Sequence, residues 1–182
     1  MSKQKLLAID TSSRELGIVV LDKTEILYFG IKSLKKYRPI NKLSDSVKNI
    51  LNWVVKAYNI RFFVMETSSK SQLKSPLFNT VIESIKETTQ ENNLKIHCYE
   101  PLFVHQSICR EKKPTRINTA QILVEIYPEL ERYFKLQCKS KTKYWMHAFD
   151  ALAVGLVHIN KRKQAKNLHL KEHSLLDCRF NT

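Results

Sequence analysis

The chain has 182 residues, room for one sizeable domain, and its 31 Lys and Arg against 17 Asp and Glu give a formal net charge of +14, so acidic partners are expected. A hydrophobic share of 43% and a charged share of 26% exclude a disordered basic tail protein. Its only glycines, Gly17, Gly30 and Gly155, leave no room for a P-loop or a dinucleotide fingerprint, each of which gathers several glycines into one turn.

Leu6-Leu7-Ala8-Ile9 runs into Asp10 without a polar break, as a buried central strand does. Residues 16–21 form a second apolar run and 25–31 a third, and the two tight connections make an antiparallel meander. From Ser44, read as an N-cap, the residues Val47, Ile50, Leu51, Val54, Val55 and Tyr58 keep one face of a helix. Residues 61–65 form a fourth strand ending at Glu66, followed by a Ser- and Lys-rich loop and a helix over 76–90. Residues 94–99 are a fifth strand, and Pro101 opens a short helix toward Cys109. A charged break at 110–114 precedes a helix over 118–127, and Pro128 either kinks it or starts a new turn. A basic loop at 139–143 leads to the last strong helix, from Tyr144 to about Ile159. Trp53 and Trp145 fall inside helical patterns and are read as core.

Three antiparallel strands followed by αβ units predict an α/β fold, a mixed sheet with helices on both faces. This is the element order of the ribonuclease H-like fold. Residues 1–160 are expected to form the domain and 161–182 a basic, loosely held tail. Cys98, Cys109, Cys138 and Cys178 form no CxxC pair, which argues against a zinc ribbon. His97 beside Cys98 and His105 four before Cys109 sit in strand and helix patterns and read as structural. Four thiols, no secretory apolar segment and no apolar run near 18 residues predict a soluble, cytoplasmic protein in a reducing compartment.

Three acids sit at informative ends. Asp10 closes the first strand, Glu66 closes the fourth, and Asp150 lies among apolar neighbours in the last helix. Taken singly, Asp10 reads as a turn former and Glu66 as a solvated strand end. Asp150 is costly to bury unless it faces a cleft or a partner. His147, three residues earlier, shares its helical face. Strand-end carboxylates that converge at one sheet edge repel each other, and a divalent cation resolves the repulsion. Two such ions can activate water and stabilise the leaving oxygen of a phosphodiester.

Leu7-Ala8-Ile9-Asp10-Thr11-Ser12-Ser13, Val64-Met65-Glu66 and above all His147-Ala148-Phe149-Asp150-Ala151-Leu152-Ala153-Val154 resemble the RuvC family of Holliday-junction resolvases, over roughly residues 5 to 160. The resemblance implies that Asp10, Glu66, His147 and Asp150 are the catalytic, metal-binding positions. It also implies a homodimer that nicks four-way DNA junctions in pairs with Mg²⁺ or Mn²⁺, two ions per site. Asp10 would bridge the ions, Glu66 would bind one ion and orient the water, and His147 would ligate or assist on the leaving-group side. Thr11-Ser12 replaces the family's Pro-Gly, and no aromatic follows Glu66 until Phe78. A RuvC-like nuclease without junction specificity and a non-catalytic nucleic-acid-binding module are the alternatives. The first strand also resembles that of actin-like ATPase folds, which duplicate the domain and use Gly-rich turns that this chain lacks.

The basic residues chosen as phosphate contacts are Lys70, Lys74, Lys112, Lys113, Arg116, Lys141 and Lys143, with Lys112 and Lys113 nearest the scissile phosphate. Binding through them would be strongly salt-dependent.

Overall fold

Strands β1 (Lys5–Thr11), β2 (Glu15–Asp22), β3 (Glu25–Ser33), β4 (Ile60–Glu66) and β5 (Ile96–Tyr99) form one sheet in the order β3-β2-β1-β4-β5. The computed structural model describes residues 5–35, 40–68, 71–139 and 144–177, with side chains as far as residue 165. The first three strands are antiparallel, with Asp10 opposite Gly17, and β4 and β5 continue the sheet in parallel, with Ile9 beside Met65 and Glu66 beside Tyr99. This is the ribonuclease H-like arrangement expected.

Strand alternation divides the core into two layers. Leu7, Ile9, Ile18, Val20 and Phe63 pack under helices α1 (Ile40–Tyr58) and α2 (Pro76–Glu91). On the other face Leu6, Ala8, Val19, Leu21 and Val64 pack under a group that includes α3 (Pro101–Cys109), α4 (Arg116–Ile126) and α6 (Met146–Asp177). β1 is therefore buried on both sides, which is why its sequence shows no alternation. Ser75 caps α2, its Oγ accepting from the Phe78 amide, with Pro76 in the first helical turn. Thr115 caps α4 in the same way through the Asn118 amide.

Several boundaries differ from the sequence reading. α1 starts at Ile40, because buried Leu43 extends the apolar stripe back by one turn. Ser44 is thus inside the helix and not its cap, and its Oγ accepts from Ser84 Oγ of α2 at 2.9 Å. Trp53 is not core: it is 52% exposed, lying beside the stripe of Leu51, Val54 and Val55. Trp145 does pack on the core, stacked on Phe29 at 6.2 Å. Pro128 opens a single 3-10 turn, and an unanticipated helix α5 (Glu131–Lys139) follows, tied to the core by Tyr133 and Phe134. α6 runs on to Asp177, well past the expected end near Ile159. Among the described residues no helix is long and apolar enough to cross a membrane.

Candidate active site

The site forms where the C-terminal ends of β1 and β4 meet the first turn of α6. Gly17 of β2, the partner of Asp10, makes that meeting possible. A Cβ at Gly17 would lie 2.0 Å from the His147 carbonyl oxygen, so only glycine lets α6 begin directly against the sheet. That approach sets His147 and Asp150, one turn apart on α6, over Asp10. The His147 Nδ1 is 2.6 Å from Asp10 Oδ2. Asp10, Glu66, His147 and Asp150 all line one cavity of about 210 Å³, so the sequence-expected four are brought together.

Arg116, the first residue of α4, reaches into the same cavity. Its guanidinium donates to Asp150 Oδ2 and stands 3.7 Å from Asp10 Oδ2. The sequence assigned Arg116 to phosphate, and the structure places it among the carboxylates. Nothing local in the sequence marks this, because α4 and α6 come together only in three dimensions. His105 was also missed. It lines the cavity from α3, with Nδ1 3.0 Å from the buried Thr119 hydroxyl, which in turn lies 3.3 Å from Cys109 Sγ. His105 and Cys109 therefore share a hydroxyl partner, as a structural reading requires. Cys98 is exposed, while His97 packs against the His158 ring at 4.6 Å.

Burial dominates the electrostatics. It raises the Glu66 carboxyl to about 9, with the Asp150 and Asp10 charges adding to the rise and Arg116 opposing it. Asp150 is raised to about 7 by burial and then by Asp10, against the pull of Arg116 and His147. Burial works against the charge of Arg116, but Asp150, Asp10 and Glu66 outweigh it and hold the guanidinium protonated. Glu66 Oε1 and Asp150 Oδ1 are buried with no hydrogen-bond partner. Among the described residues no three His, Cys, Asp or Glu groups already surround a common point as ligands of a metal ion; here the guanidinium occupies the space between Asp10 and Asp150.

The basic residues are spread around this cavity. Lys74 ends an exposed 3-10 turn (Gln72–Lys74) whose Gln72 lines the cavity. Lys112 and Lys113 are exposed on the segment before α4, and Lys112 Nζ is 3.3 Å from Glu125. Lys70, Lys141 and Lys143 lie outside the described residues.

No protein-family model and no curated protein sequence matches the chain. Solved structures do. A Thermus thermophilus RuvC in complex with Holliday junction substrate superposes with a TM-score of 0.65 at 14% identity, covering 88% of this chain and 96% of that one. A yeast mitochondrial Holliday junction resolvase gives 0.66 at 12% identity, covering 94% and 85%. A fowlpox virus resolvase in complex with junction DNA gives 0.51 at 17%, covering 87% and 98%. The fold is the one these proteins share.

Proposed function

We propose that this chain is a metal-dependent endonuclease of branched DNA that resolves four-way junctions by paired nicks, working as a homodimer. The observation that carries this reading is the convergence of Asp10, Glu66, His147 and Asp150 in one cavity at the end of a sheet with the fold of RuvC. Solved relatives of that fold are described in complex with Holliday junction DNA. The net charge of +14 supplies the sequence-independent attraction to phosphate.

The donor set fits a divalent cation. Three carboxylates are hard oxygen donors, and Glu66 Oε1 and Asp150 Oδ1 are buried in the cavity with no hydrogen-bond partner of their own. Asp10, Glu66, Asp150 and His147 would hold Mg²⁺ or Mn²⁺, two ions per site. Such ions supply charge stabilisation at the phosphodiester and a more acidic water.

The chain's own residues have separable tasks. His147 lines the cavity and is oriented by its bond to Asp10, which leaves its other ring nitrogen to hold an ion on the leaving-group side. Glu66, once ionised, accepts a proton from the attacking water. Arg116 trades Asp150 for a phosphate oxygen when DNA enters, since a planar guanidinium suits both anions. Lys74, Lys112 and Lys113 hold the flanking backbone.

The test is cleavage of a labelled four-way junction, a matched linear duplex and single-stranded DNA, each in Mg²⁺, Mn²⁺ or EDTA, beside Asp150→Asn. Paired, metal-dependent nicks confined to the junction and lost in the variant are expected. Cutting of all three substrates would discard junction specificity. Binding without cutting in either metal would discard the enzyme, and a monomer by sedimentation with junction bound would discard the paired mechanism.

A further inference from the structure

Trp53 leaves about half of its surface open, at 52% exposure, yet it is firmly held. Tyr28 of β3 meets its ring edge-on at 6.5 Å, and Tyr58 does so at 6.3 Å. The two tyrosines also meet each other at 6.3 Å, so each ring braces the other two. Gly30 is part of the construction. A Cβ there would sit 2.8 Å from the Tyr28 hydroxyl oxygen and 3.0 Å from Cζ, so glycine lets the Tyr28 ring lie along the strand.

Positive charge accompanies the rings. Lys32 follows Tyr28 and Gly30 on the same face of β3, and its Nζ is 6.0 Å from the Trp53 ring centroid. Lys56, exposed in the last turn of α1, is one helical turn beyond Trp53. Lys32 pairs with Leu16, and Leu16 with Thr11, which follows Asp10. The backbone of Lys32 is therefore two strand spacings, roughly 10 Å, from the catalytic end of β1.

We propose that Tyr28, Trp53 and Tyr58, with Lys32 and Lys56, form a second nucleic-acid contact, in which an unpaired base stacks on Trp53 and the lysines hold its neighbouring phosphates. It rests on the nucleic-acid reading above and places this contact on the α1 face of the sheet, opposite the face that carries Asp10. A protein partner is the poorer occupant, because interface cores are depleted in lysine. Braced aromatic rings interleaved with lysines are the make-up of single-strand grooves.

The test is binding of oligothymidylate in EDTA, where no cutting intervenes, followed by tryptophan emission and by a salt titration. Stacking quenches wild-type emission, and the quenching disappears in Trp53→Phe, which leaves only the packed Trp145 to report. Trp53→Ala weakens binding about 5- to 150-fold, the range for one stacked base. Lys32→Gln, whose side chain is outside the core, lowers the salt slope by about 0.7. Wild-type affinity in both Trp53→Ala and Lys32→Gln would overturn the proposal. So would a loss of affinity in Trp53→Ala that follows dissociation of a dimer in sedimentation, which would assign the cluster to a second copy of the chain. Failure of the nuclease reading shows elsewhere, as absence of junction cutting by wild-type protein in Mg²⁺ or Mn²⁺.

Discussion

His147 Nδ1 lies 2.6 Å from Asp10 Oδ2, tying the first turn of α6 to the end of β1 across a sequence separation of 137. The bond depends on the bare backbone of Gly17 beneath it. Gly17→Ala would push its Cβ into the His147 carbonyl at 2.0 Å, and backbone there cannot rotate away. A loss of about 1–3 kcal/mol in urea unfolding is expected, as for other overpacked sites. Cleavage should fall further than stability does, because the displaced helix carries both His147 and Asp150. Wild-type stability and cutting in Gly17→Ala would show that α6 can yield without cost.

Arg116 and a divalent cation compete for the space between Asp10 and Asp150. Arg116→Ala should tighten Mn²⁺ binding, measured by calorimetry in the absence of DNA. The gain should be roughly tenfold, short of the about 4 kcal/mol for like charges 4 Å apart at an effective dielectric of 20, because about a third of the Arg116 side chain is exposed. Junction affinity in EDTA should weaken in the same variant, through loss of a phosphate donor. Unchanged metal affinity would show that the guanidinium does not screen the site.

Glu66 makes metal-free stability depend on pH. Its folded carboxyl is raised to about 9, by burial first and then by Asp150 and Asp10, while an unfolded glutamate titrates at about 4.3. An acid raised in this way holds more protons when folded, so its stabilisation is complete below the unfolded value and is lost as pH rises through the folded one. His158, lowered to about 4 by burial and by the His97 and Arg162 charges, loses stability only on the acid side, as pH falls from about 6.5. Asp150, raised to about 7, loses its stabilisation in the same direction but has mostly done so by about pH 8. The fall between about pH 8 and 9 therefore belongs chiefly to Glu66, and the part nearer pH 7 is shared. Thermal and urea unfolding in EDTA should show a decline of roughly 1–3 kcal/mol from about pH 7 to 9, reduced in Glu66→Gln to the smaller part near pH 7 and reversed by Mg²⁺. Stability that rises over that interval would refute the burial of an unpaired carboxyl.

Leu73 is 48% exposed on the 3-10 turn after β4, between cavity-lining Gln72 and Lys74. An exposed apolar side chain on a cationic rim can act as a wedge between base steps. Phe78, the first aromatic after Glu66, is buried at 3% exposure and is not available for that task. Leu73→Ser should lower the ratio of junction to linear-duplex cutting and leave the metal requirement as it is. An unchanged ratio would remove Leu73 from junction selection.

Much of the fold was legible because its signals are local. The unbroken run Leu6-Leu7-Ala8-Ile9 marks a strand buried on both faces. The short turns after Thr11 and Asp22 allow only antiparallel returns, and Pro76 and Pro101 stand in the first turns of α2 and α3. α5 was not legible: its outward face is polar, and Tyr133 and Phe134 are only half-buried, finding their partners in Phe29 and Phe149. Trp53 misled for a related reason, since a tryptophan beside an apolar stripe is covered or open according to what the neighbouring strand offers.

Strand ends, helix faces and a short local motif are each encoded within a few residues, which made the strands, the helices other than α5, and Asp10, Glu66, His147 and Asp150 as a candidate set readable along the chain. Three features emerge only on folding: Arg116 stands among those carboxylates, Gly17 admits α6 to the sheet, and Trp53 faces solvent between two tyrosines. Each of these is a contact between chain segments distant in sequence, fixed by packing and by the cost of burying unpaired charge, and local sequence carries no record of it.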